Sequence, residues 1–142
     1  MKNYLILNRL PNKRLNYEAV IDHTKNQVTY IGYFSATYQF KGPATLIEAD
    51  LTHLDVNNLP EKIYRTLLSC DCLIARSEFD LLLAAKLREA FNIAGETSVD
   101  VLPIRDKFIM RRLAQKHKIR QPEFWSLPQF QNNTAAIDKY VL

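Results

Sequence analysis

Arg105, Asp106 and Lys107 stand together at the head of a strongly cationic segment, and phosphate is the chemistry they suit. Residues 105–120 hold seven Lys or Arg against one acid, Asp106. That is a local charge of +6 in a chain whose whole is +4, so the remainder sums to −2. Pro103 or Ile104 starts a helix here by pattern, and it runs to about His117. Met110, Leu113, Ala114 and His117 recur at i, i+3, i+4 and i+7 as its apolar stripe. A helix N-terminus favours anions, and a lysine in the first turns adds a point charge that can meet a phosphate. The bland alternative for Lys107 is an ordinary exposed lysine. The other cations, Arg111, Arg112, Lys116, Lys118 and Arg120, can meet nucleic-acid backbone phosphates. No aromatic residues interleave with them as a stacking platform requires, which favours a solvated helix face.

Other candidates are scattered. Glu78 follows the carboxyl end of a predicted strand, where open α/β sheets hold their ligands; it serves equally well as first-turn charge on a helix. Asn8, Arg9 and Arg14 lie in a loop after the first predicted strand and can meet an anion, or can be plain surface. His23, His53 and His117 are dispersed and fit surface or satisfied core positions. Cys70 and Cys72 are two apart, a poor geometry for a disulfide, and no further Cys or His nearby completes a metal set. Buried structural thiols are the expectation. With only Gly32, Gly42 and Gly95, neither Gly-x-Gly-x-x-Gly nor a P-loop can be written, and there is no Gly-x-Ser-x-Gly or His-Glu-x-x-His.

The elements that must position these groups alternate. Strands are predicted at Lys2–Asn8, Gln27–Tyr33, Ala44–Ala49 and Asp71–Arg76, the last taken as an inner strand because it is apolar throughout. Helices are predicted at Leu15–His23, at Leu59–Leu68 with Pro60 in its first turn, and at Phe79–Phe91. The third is apolar almost all round and is expected between layers. Ser77 caps it, with Asp80 in the capping-box place. Thr97 and Asp100 suggest another cap. Glu123–Leu127 reads as a short strand, and the weakly patterned tail allows a helix from Asn133 or Thr134. Alternating strands and helices imply an α/β fold with an open parallel sheet.

Hydrophobic residues make up 47% of the chain, enough for a core. No apolar stretch approaches the roughly 20 residues of a membrane helix, and the N-terminus lacks a signal-peptide pattern. A soluble, cytoplasmic protein without a membrane partner is expected.

The succession Ile74-Ala75-Arg76-Ser77-Glu78-Phe79, Ala84-Ala85, Phe91-Asn92-Ile93-Ala94-Gly95, Arg105-Asp106-Lys107-Phe108-Ile109-Met110-Arg111-Arg112-Leu113 and Lys118-Ile119-Arg120-Gln121-Pro122-Glu123-Phe124 resembles the opening of an ATP-grasp ligase. The resemblance is best over residues 70–127. It implies an open parallel Rossmann-like sheet, the pre-ATP-grasp domain, over residues 1–102. The first helix and strand of an ATP-grasp domain would follow over residues 103–142. The implied activity is a carboxylate–amine ligase, closer to the amino-acid and peptide branch than to biotin carboxylase because Asn3–Asn8 lacks a Gly-rich continuation. ATP phosphorylates a small-molecule carboxylate, an amine attacks the acylphosphate, and Mg²⁺ spreads the phosphate charge. Lys107 matches the lysine that contacts nucleotide phosphate. The second phosphate lysine, the Gly-rich flap and the Glu/Asn metal pair are not in these 142 residues, so a ligase fragment, inactive alone, without catalytic residues or metal ligands and binding no cofactor by itself, is expected. The rival is a non-enzymatic α/β module using the basic helix of residues 105–120 on nucleic acid or an acidic partner. A flavodoxin-like or receiver-like domain is a third option, though a receiver wants acids where Asn8 and Arg9 stand.

Overall fold

The computed structural model describes residues 1–9, 15–34, 40 and 42–132. Four strands, β1 (Asn3–Asn8), β2 (Gln27–Gly32), β3 (Thr45–Glu48) and β4 (Cys72–Ala75), form one all-parallel sheet in the order β3-β2-β1-β4. The chain is therefore of the α/β class. The helices are α1 (Glu61–Leu68), α2 (Leu81–Phe91), α3 (Ser98–Arg105), α4 (Lys107–Lys116) and α5 (Leu127–Gln131). Two compact units divide the chain, Met1–Val101 and Leu102–Leu142.

Alternation along β1 decides the two faces of the sheet. Leu5 and Leu7 join Ile31 and Leu73 on one face and meet Ile63 and Leu67 of α1 and Ala84 and Leu87 of α2. Ile6 faces the other way, with Val28 and Tyr30, under Tyr17 and Ile21. Tyr4 pairs with both Val28 and Cys72, so β1 is hydrogen-bonded on each side and its middle is fully buried.

The Asp71–Arg76 segment does form a strand, but not an inner one. Among the described residues β4 pairs only with β1, so it is an edge. Its apolar character comes from covering on both faces: Leu73 and Ala75 pack into one cluster, Ile74 against the other. The open rim of β4 is blunted by α2, whose Arg88 guanidinium donates to the Leu73 carbonyl at 3.0 Å. Gly95 permits that reach, since a Cβ there would lie 2.8 Å from Arg88 Cδ.

Several helices differ from their sequence pattern. Leu15–His23 contains only one 3₁₀ turn, Tyr17–Ala19. The segment from Phe79 to Phe91 splits into a 3₁₀ turn, Glu78–Asp80, and α2. It does not sit between layers: Ala84, Ala85, Leu87 and Arg88 are buried while Lys86, Glu89 and Ala90 are exposed. α2 ends at Asn92, which takes the left-handed conformation at φ 54°. Thr97 and Asp100 do meet ahead of α3, the Thr97 amide and hydroxyl donating to Asp100 Oδ2 at 2.9 and 2.7 Å, which is the return half of a capping box only. Pro103 does not start the basic helix. It lies inside α3, and Asp106 then caps a separate α4. Glu123–Leu127 is not a strand. Ser126 forms a reciprocal capping box with Gln129 and opens α5, with Pro128 in its first turn. A helix from Asn133 or Thr134 falls outside the described residues. Among the described residues, no helix is long and apolar enough to cross a membrane.

Candidate functional site

The strand order sets where a ligand can enter. From β1 the chain moves outward through β2 to β3, then returns past β1 to β4. The connections leaving β1 and β4 therefore diverge at their carboxyl ends, and open α/β sheets hold ligands at such a switch point. Asn8 and Arg9 end β1 on this edge, Tyr33 follows β2, Asp50 and Thr52 follow β3, and Arg76 and Ser77 follow β4.

Arg9 is the organising group. Its Nε donates to Asp80 Oδ1 at 2.8 Å, and its Nη1 approaches Thr52 Oγ1 at 3.4 Å. The Asp80 side chain is wholly buried, while that of Arg9 is 30% exposed. Asp80 Oδ2 is buried as well and has no hydrogen-bond partner among the described residues. Burial pushes the Asp80 carboxyl above the usual range, and the hydrogen bond and charge of Arg9 pull it back in part. Tyr17, also raised by burial, feels Arg76 and Asp80, so these three groups sit near one another.

Beyond Arg9 lies a small cleft of about 40 Å³ lined by Asn8, Arg9, Tyr33, Asp50 and Leu51. Asp50 is held below the usual carboxylate range, first by the Thr52 amide at 2.8 Å and then by its hydroxyl. The Tyr33 phenol also bonds to Asp50, and burial, then the Asp50 charge, raises Tyr33. His53 Nε2 is 3.7 Å from Asp50 Oδ2 on the exposed rim.

The sequence pointed to part of this edge. Asn8 and Arg9 are there, while Arg14 lies outside the described residues. Glu78 is exposed in the 3₁₀ turn after β4. Asp80 was not foreseen as a site residue. Its place three residues after Ser77 suggested a capping box, yet Ser77 Oγ accepts from Phe79 N at 3.3 Å and the Asp80 carboxylate goes to Arg9. The available signal was one acid inside an otherwise apolar run, since a buried acid needs a partner. His23 is a satisfied core histidine. Its Nδ1 donates to the Ile21 carbonyl at 2.7 Å, and Nε2 meets the Tyr30 hydroxyl at 3.0 Å. His117 closes α4. Cys70 and Cys72 are free, half-buried thiols, and burial pushes Cys70 up to about 11.

Lys107 belongs to the second unit. It is the first residue of α4 and is exposed. Asp106 Oδ1 accepts from the amides of Phe108 and Ile109 at 2.8 and 3.0 Å. The anion favoured by this helix terminus is thus Asp106 itself, and the exposed Lys107 side chain takes no part in the cap. Arg112, Lys116, Lys118 and Arg120 are exposed and Arg111 is half-buried; of these, Arg112 lies over the Phe108 ring, 5.8 Å from its centroid. Among the described residues, no group of three or more His, Cys, Asp or Glu side chains gathers to hold a metal ion. The Mg²⁺ that the ligase resemblance implies has no ligand set there.

Compared with protein-family models, with curated proteins and with solved structures, the chain has no match in any of the three.

Proposed function

We propose that this chain contributes the pre-ATP-grasp-like α/β domain and the Lys107 helix to an ATP-dependent carboxylate–amine ligase. The observation that supports this most is the succession of elements. A parallel sheet with β1 and β4 at its switch point is followed by a helix that Asp106 caps and Lys107 begins. In such a ligase ATP activates a carboxylate as an acylphosphate, which an amine then attacks. Lys107 would supply positive charge beside a nucleotide phosphate. Asp106 would keep the helix amides occupied, so that contact would run through the lysine side chain.

The test is ADP release by the protein that carries this chain, measured with and without a carboxylate and an amine. Release that needs both substrates and falls on Lys107→Ala supports the proposal. The 142 residues alone are expected to release no ADP. Release by them that Lys107→Ala leaves unchanged would put the site elsewhere.

A further inference from the structure

The carboxyl edge and the opposite edge of the sheet differ in one telling respect. At the amino edge the polar groups tie to one another: Asn3 N donates to Asp71 Oδ2 at 2.7 Å, Asn3 Nδ2 to the Ser69 carbonyl at 2.7 Å, and Lys2 N to Asn26 Oδ1 at 3.0 Å. At the carboxyl edge the central cation is held from behind. Asp80, entirely buried, grips Arg9 through Nε and fixes the plane of the guanidinium. That leaves Nη2 without a partner among the described residues, and Nη1 with only the long approach to Thr52. The Thr52 hydroxyl accepts that approach and gives its own proton to Asp50, so the free donors at this edge are those of the guanidinium.

We infer that Arg9, oriented by Asp80, is a binding site for a small-molecule carboxylate at the β1 end of the switch-point crevice. The charge balance selects a carboxylate over a phosphate. Among the described residues that line the cleft, Arg9 is the one cation and Asp50 the one acid. A monoanion matches that one guanidinium, whereas a dianion would meet the Asp50 charge unscreened. The cleft of about 40 Å³ admits a group of carboxylate size and little more, leaving the rest of a ligand outside it. Asp80 is a positioning residue here. It touches Arg9 and not the ligand.

The experiment is an amide and arginine side-chain NMR titration of the 142-residue chain with sodium acetate, at ionic strength held constant with chloride. Inorganic phosphate is titrated in parallel. Saturable shifts at Asn8, Arg9, Tyr33 and Leu51 are expected, with a dissociation constant on the order of 10 mM for so small a probe, and phosphate about tenfold weaker. Arg9→Lys keeps a cation against Asp80 but loses the fork, and should weaken acetate about tenfold. Because Arg9 variants can destabilise the fold, Arg9→Met with Asp80→Leu provides a second test, a pair that leaves no buried charge and should abolish the response. Shifts that stay linear in acetate, that persist in the paired variant, or that appear equally with phosphate would overturn the site. No ATP is present, so the result separates from the ligase test. Acetate binding without turnover removes only the ligase, and turnover without acetate binding removes only this site.

Discussion

Arg9 and Asp80 are 71 residues apart in sequence and 2.8 Å apart in space, Nε to Oδ1, and they tie the end of β1 to the turn after β4. The pair closes the switch point from below with a carboxylate that water does not reach. Removing one partner should cost more than removing both. Arg9→Ala strands the buried Asp80 charge and should destabilise by about 2–3 kcal/mol, at the lower end for a buried pair because Arg9 is partly exposed. Arg9→Met with Asp80→Leu should return to within about 1 kcal/mol of the starting stability. Chemical denaturation of the three proteins checks this. Additive losses would show that the two side chains do not act as a pair.

Two carboxylates should give opposite pH dependences. Asp22 falls from an ordinary 3.8 to about 2, first through the Thr24 hydroxyl and then the Thr24 amide and Lys25. A depressed carboxyl stabilises the fold above its unfolded value, and that contribution fades as pH falls from about 4 to about 2. Asp80 is raised by burial, so its folded form holds the proton longer than the unfolded chain does. Its contribution therefore declines as pH rises from 3.8 through the raised folded value, and is level above it. Carboxyl-detected NMR should find the Asp22 midpoint near 2, moving up in Thr24→Ala. Asp80 should titrate above an ordinary aspartate. A midpoint near 4 for either would remove its part of the prediction.

The sheet was legible where chemistry and periodicity agree. β1 is a short apolar run and β2 a β-branched and aromatic one, each bounded by polar residues, and both form where expected. Edge or centre was not legible for β4, because an edge strand covered on both faces is as apolar as an inner one. What marks the edge is Arg88 on the Leu73 carbonyl, a contact from another element. The 103–107 boundary was misread for a local reason. Pro103 suits a first turn, but Asp106 caps better, with two amides on one oxygen. At the candidate site, Arg9 was visible as a cation after a strand. Asp80 was hidden because its partner is 71 residues away.

Gly32 ends β2 beside Asn8 and is, of the three glycines, the least open to a side chain. Its φ is 153°, and an added Cβ would stand 2.3 Å from the Asn8 carbonyl oxygen, a backbone atom that cannot swing aside. Gly32→Ala should destabilise by about 2 kcal/mol or more, from the strained backbone and the collision together. It should also shift the Arg9 resonances, since Asn8 moves to relieve the clash. A melting temperature unchanged within a degree or so would mean that the strand end rearranges freely.

Lys107 and Asp106 offer the sharpest separation of structure from function. Asp106 holds the first turn of α4 through two amides, so Asp106→Ala should cost about 1 kcal/mol of stability and fray that turn. Lys107 is exposed and caps nothing, so Lys107→Ala should leave helicity and melting temperature as they were. In the ligase proposed above, the same substitution removes a charge-assisted phosphate contact of about 1.5–3 kcal/mol, a ten- to hundredfold loss in ATP affinity or turnover. Steady-state kinetics of the protein carrying this chain, beside circular dichroism of both variants, reads the two effects independently. Lys107→Arg keeps the charge and should recover part of the loss. Unchanged turnover and ATP KM in Lys107→Ala would return Lys107 to an ordinary surface charge. The sheet, its order and the Arg9–Asp80 pair would be untouched by that result, because none of them depends on what the lysine meets.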